Sequence, residues 1–299
     1  MPASPRPAVN APLWLKRNLV VAGVVRRSLQ LRTQSVKRFI FTATTGRSGT
    51  LTLSELFANV PECAAVHEPY PIMNEEVLRA ASYGNEAEVD RVYSRIKSIN
   101  ILRTAAGHRY YLEANHLLVK TFLGQAYQEF GRRMAVIHLV RGAIEVAMSI
   151  YCLQHLPGTP YGNAWWLDYR APTNIIQIAD ELEGTGELSH TFYRGLWYWY
   201  ELELRFAAWR ARLPALEVVR FETSWFNDAQ KTFRLLDELE IAYDRDKVST
   251  FVGRKEHTKF AQKTMPVIPR GQAEKMDETF RRALQARGID LAPIGRSGP

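Results

Sequence analysis

The chain has 299 residues, with 39 Lys+Arg against 31 Asp+Glu and a formal net charge of +8. At 46% hydrophobic and 23% charged residues it is no disordered polymer, and a chain this long buries roughly 75% of its unfolded surface without staples. The charge excess lies wholly in residues 1–38, which hold Arg6, Lys16, Arg17, Arg26, Arg27, Arg32, Lys37 and Arg38 and no Asp or Glu. Residues 39–299 are therefore neutral, which confines any attraction to nucleic acid or an anionic membrane to the arm.

Residues 1–37 are predicted to form a basic N-terminal arm. Its longest apolar run, residues 19–25, lies between Lys16-Arg17 and Arg26-Arg27 and falls short of the ~20 apolar residues of a membrane span. Arg26-Arg27 also stands where a secretory signal would need small residues. Three readings stay open: a helix packed on the body or on a partner subunit, a basic interfacial helix with Trp14 and Leu15 at the lipid boundary, and a transit peptide.

From residue 38 the pattern alternates. Residues 38–42 (R-F-I-F-T) read as a strand, followed by a Gly/Ser loop and an amphipathic helix over 51–59. Residues 134–140 (M-A-V-I-H-L-V) read as a buried strand with a helix over 144–153, and residues 216–221 as a third strand with a helix over 229–239. The stretches 74–103 and 191–212 are helical in pattern. This alternation predicts an α/β, P-loop-like three-layer fold with a central, mostly parallel sheet flanked by helices. We expect a single domain over 38–290, with a last helix at 272–287 and a frayed tail at 291–299. Cys63 and Cys152 show no CxxC spacing and suit a reducing, cytoplasmic setting, and the scattered histidines offer no zinc motif.

The loop Thr45-Gly46-Arg47-Ser48-Gly49-Thr50 sits between a strand and a helix, where backbone N–H groups converge at the positive end of the helix dipole. Phosphate or sulfate is its natural guest, with Arg47 adding charge and Ser48 and Thr50 adding hydroxyls; the alternative is a plain Gly/Ser turn. It is not a Walker A loop. Arg141, at the end of the strand 134–140, points into the crevice where open α/β sheets bind ligands, and Ser149 follows two helical turns later. The alternative for each is a solvated side chain.

At these residues the chain resembles the sulfotransferases that use 3′-phosphoadenosine 5′-phosphosulfate (PAPS). T-G-R-S-G-T resembles their 5′-phosphosulfate loop, and L-V-R-x7-S (Leu139 to Ser149) their 3′-phosphate motif. Val119-Lys120-Thr121 and Arg220-Phe221-Glu222 resemble two further segments of the family, and Arg254-Lys255 half matches the piece that closes over the 3′-phosphate. Departures are Leu51 for a second threonine, Gly142-Ala143 for Asp-Pro, and Phe221 for tyrosine.

The resemblance implies PAPS as co-substrate, no metal, and a hydroxyl-bearing acceptor, with no nucleic-acid partner. It assigns nucleotide binding to Thr45–Thr50, Arg141, Ser149, Phe221, Arg254 and Lys255, and charge stabilisation to Lys120, which otherwise reads as a solvated strand-end lysine. Cytosolic members use a histidine two residues past the lysine, where this chain has Phe122. Carbohydrate and protein-tyrosine members use a glutamate beyond the first loop's helix, which implies Glu68 as general base, with His67 as second choice. The alternatives are an ion pair of Glu68 with an arginine and a loop-capping His67. Trp165, Trp166, Tyr169 and the run Trp197-Tyr198-Trp199-Tyr200 read mostly as core. The competing functions are a P-loop kinase and a basic membrane- or nucleic-acid-binding module. A cytoplasmic enzyme is expected, with membrane or oligomer contact through residues 1–37.

Overall fold

A computed structural model describes residues 19–252 and 265–295. Arg254 and Lys255 lie outside the described residues, as do Trp14 and Leu15. The sheet has five strands, β1 (Arg38–Ala43), β2 (Cys63–His67), β3 (Tyr110–Ala114), β4 (Met134–Val140) and β5 (Glu217–Glu222), in the order β2-β3-β1-β4-β5. Every pairing is parallel, so the sheet is wholly rather than mostly so. β2 and β3 were absent from the sequence reading.

Period-2 alternation sends neighbouring side chains to opposite faces. Phe39 and Phe41 of β1 join one apolar cluster and Ile40 the other. On the first face lie α1 (Leu19–Arg32), α3 (Ala143–Cys152), α4 (Phe192–Arg212) and α6 (Arg270–Ala286); on the second lie α2 (Thr50–Ala58) and α5 (Ala229–Glu238). Both faces are thus covered, and β4 is buried along all seven residues.

The described part of the N-terminal arm takes the packed-helix form. Ala22 and Leu29 of α1 are buried, Arg26 Nε meets Glu129 Oε1 at 2.8 Å, and Arg133 donates to the Thr33 carbonyl at 2.8 Å. Lys37 and Arg38 pair with Glu240, and Arg38 also with Glu217. From Ala22 onward the described part of the arm thus packs on the body. At the other end Ala292–Gly295 forms a helical turn, with Ile294 against the core, where a frayed tail was expected. Among the described residues no helix is long and apolar enough to cross a membrane.

Candidate functional site: an anion loop beside a buried relay

Because all strands run the same way, their carboxyl ends share one edge of the sheet. Five connections meet there: the loop after β1, Glu68 after β2, Asn115 and His116 after β3, Arg141 after β4 and Thr223 after β5. The connection after β1 runs to one side, towards β2, and the one after β4 to the other, towards β5; open α/β sheets form a ligand crevice between two such strands.

The β1–α2 loop is wound tightly by three residues with positive φ, Gly46 (77°), Arg47 (58°) and Gly49 (87°). The hydroxyls of Thr45 and Ser48 turn inward to the Gly46 carbonyl, at 2.9 and 3.0 Å, and so shape the loop rather than face a guest. Thr50 Oγ1 lies 2.9 Å from His67 Nε2. Among the described residues, no acceptor is found for the amides of residues 46–49, which stand at the N-terminus of α2. The buried Thr44 hydroxyl at the loop's entrance also lacks a partner.

The two sequence motifs converge on one residue. Arg47 Nε donates to Ser149 Oγ at 3.0 Å, and Arg141 Nη1 donates to the Arg47 carbonyl at 2.6 Å. Ser149 thus meets Arg47 directly rather than Arg141. Neither guanidinium has a carboxylate partner among the described residues, since Glu145, the acid nearest in sequence, bonds Arg270. Partial burial lowers both arginines' pKa, and for Arg141 the charge of Arg47 adds to the effect. Glu145 opposes that effect on Arg141, and the two guanidiniums, with no ion pair among the described residues, lie beside unpaired amides, the kind of arrangement that suits an anion.

Glu68 leaves the end of β2 at φ 43°, and its amide donates to the Ala114 carbonyl at 3.1 Å. Among the described residues no arginine pairs with it, contrary to the ion-pair alternative. Its Oε1 instead lies 3.4 Å from His116 Nε2 and 3.9 Å from His67 Nε2, leaving Oε2 without a contact among the described residues. Burial raises its carboxyl above the ordinary range, opposed by the charge of Lys120. Burial likewise lowers His67. His67 does not cap a loop; it closes β2 and meets Thr50.

Lys120 differs most from expectation. It sits in a π-helical turn, Leu118–Phe122, and is only 3% exposed, so it is neither at a strand end nor solvated. Its ammonium donates to the Trp165 carbonyl (2.8 Å) and the Tyr198 hydroxyl (2.9 Å), and lies 2.7 Å from His116 Nδ1. With all three protons committed, it has none for a ligand. Burial sets its pKa well below the usual lysine value, and burial plus the Lys120 charge keeps His116 neutral. An Nδ1 that accepts from Lys120 puts the His116 proton on Nε2, facing Glu68.

His116 itself escaped the sequence reading; an N-H-L tripeptide carries no motif there, and only the pairing of β3 with β1 brings it to the loop. Tyr198 and Trp199 were read as core. Both are buried, but the Tyr198 hydroxyl donates to the Thr45 carbonyl at 2.7 Å and Trp199 Nε1 to the Arg141 carbonyl at 2.8 Å. Adjacent aromatics of α4 thereby hold the loops after β1 and β4. Phe221, expected to flank a nucleobase, is a core residue, 1% exposed and set edge-on to Trp225 and Phe226. Compared with known proteins, the chain matches no family model, no curated protein and no solved structure.

Proposed function

We propose that the protein is a sulfotransferase that moves a sulfuryl group from PAPS to a hydroxyl of a carbohydrate or another bulky alcohol or phenol. The observation that carries this reading is the pair Arg47 and Arg141, neither with an ion-pair partner among the described residues, beside the unpaired amides of residues 46–49. These groups suit a nucleotide with phosphate on two positions, and the unpartnered Thr44 hydroxyl adds a polar atom at the same loop. The co-substrate supplies an activated sulfuryl group, whose transfer needs positioning and charge stabilisation more than covalent help.

In this reading Arg47 and the loop amides stabilise the charge that grows on the departing phosphate as its bond to sulfur breaks. Glu68 takes the acceptor's proton through Oε2 while the new oxygen–sulfur bond forms. His116 steadies Oε1 and is itself fixed by Lys120, so Lys120 acts through His116 rather than on the ligand.

The product nucleotide, adenosine 3′,5′-bisphosphate, tests the reading. At 100 times Kd it contributes about 2.7 kcal/mol, a rise in Tm of about 4–5 °C for a chain this size, without added metal. Arg47→Ala and Arg141→Ala should each abolish the shift. A shift with ATP–Mg²⁺ and none with the bisphosphate would indicate a kinase instead. Glu68→Gln should keep the shift yet lose roughly 10²–10⁴ in turnover. In the unaltered enzyme, the acid limb of the turnover–pH profile should lie above the ordinary carboxylate value of 4.5, because burial raises Glu68.

A further inference from the structure

A second concave surface lies away from the loop, at the free edge of β5. β5 is the last strand of the sheet, so one of its edges has no neighbouring strand. A cleft of about 450 Å³ opens there between Arg210 on α4 and the α5 residues Lys231 and Arg234. Its apolar lining comes from Val218 on one side of β5 and from Val219 and Leu235 on the other, and Trp225 lines it as well.

The charge of this cleft is lopsided. Arg210, Arg220, Lys231 and Arg234 line it against one carboxylate, Glu238. Arg234 bonds Glu238 at 2.5 Å and Arg220 bonds Glu222 at 3.3 Å. The other two cations have no acid: Lys231 lies 4.9 Å from the centre of the Trp225 ring, and Arg210 has no hydrogen-bond or ion-pair partner among the described residues. A buried polar group also lines the cleft. His138 is 1% exposed, its Nε2 lies 3.0 Å from Glu203 Oε2, and its Nδ1 has no partner. At 1% exposure it is closed off from a ligand, so Arg210 and Lys231 are the cations without an acid that a ligand could reach.

We infer that this cleft binds a small amphiphilic anion. An apolar or aromatic body lies against Val218, Val219 and Leu235 along that edge, and a carboxylate, sulfate or phosphate head meets Arg210 and Lys231. The volume falls within the ~300–1,000 Å³ of small-molecule sites, and an apolar lining with a few convergent polar groups is their usual make-up. The site shares no residue with Arg47, Arg141, Ser149 or Glu68, so it is independent of the sulfotransferase reading.

The probe is 8-anilinonaphthalene-1-sulfonate, an aromatic sulfonate whose fluorescence rises in apolar surroundings, added to the full chain. Saturable one-to-one binding is expected, unchanged in Arg47→Ala and not displaced by adenosine 3′,5′-bisphosphate. Arg210→Gln and Lys231→Gln should each weaken it roughly tenfold, as loss of one charge-assisted contact does. Equal affinity in the double variant, or displacement by the bisphosphate, overturns the inference. A measurement on the unaltered chain guards against misfolded variants: octanoate should displace the probe and octanol should not. Equal displacement by both would mean apolar adhesion without an anion site.

Discussion

Gly46 links the loop to the relay behind it. Its φ of 77° is costly for any residue with a side chain, and an added Cβ would lie 3.1 Å from the Trp166 ring and 3.2 Å from His116. Left-handed backbone costs about 1–2 kcal/mol and crowding adds about 1–3 more. Gly46→Ala should therefore lower stability by about 2–5 kcal/mol in urea unfolding and weaken the bisphosphate, since relief of the crowding moves the loop. His116 makes a pH-dependent contribution of definite sign. Its folded pKa lies well below 6.5, so below that value the unfolded chain takes up a proton that the native state refuses. Stability from this group is present above pH 6.5 and is lost as pH falls towards the folded pKa, at up to about 1.4 kcal/mol per pH unit. His116→Gln should flatten the slope of unfolding free energy between pH 6.5 and 5.

At the scale of elements, β3 decides how the segment behind Glu68 is held. Glu113 lies inside this strand, wholly buried, and meets Lys97 Nζ at 2.6 Å, while Tyr111 and Asn115 donate to it at 2.9 and 2.8 Å. Lys97 also donates to the carbonyls of Pro69 and Pro71 at 3.2 and 3.0 Å. Asn100 and Asn115 take those of Tyr70 and Ile72. Four successive carbonyls behind Glu68 are thus held by side chains rather than by a strand or helix. Lys97→Met leaves Glu113 buried without its cation and should cost about 3–5 kcal/mol in urea unfolding, much of it restored by adding Glu113→Gln. The same pair explains why β3 was illegible: a charge in the middle of Y-Y-L-E-A breaks the apolar run by which buried strands are read. β1 and β4 were plain because their two-sided burial needs only apolar side chains. The π-helical turn around Lys120 was misread for the converse reason, since Leu117-Leu118-Val119 looks like a strand until the lysine's three partners are known.

For the whole molecule, the α/β class and the glycine-wound loop after β1 were visible in local pattern, because strand–loop–helix order and glycine spacing are properties of neighbouring residues. The relay was not, because Glu68, His116 and Lys120 meet only after β2 and β3 are placed beside β1. The sequence did not choose among the arm's three readings for a related reason. Its basic composition describes a surface, whereas Ala22, Leu29 and the Arg26–Glu129 contact describe a buried face that appears only when the partner helices are known.

The ties that hold the β1–α2 loop span much of the chain: Arg47 to Ser149, Thr45 to Tyr198, and Ser48 to Thr223, whose hydroxyl also reaches the Val140 carbonyl. Contacts so far apart in sequence have a high entropic cost of closure and form slowly. The loop can appear early as a turn, but its anion-holding shape has to wait for β4, α4 and β5. On a ribosome this makes residues 45–50, among the first of the fold to emerge, among the last to become competent. A nascent chain truncated before residue 223 carries the whole loop motif and lacks its final clasp.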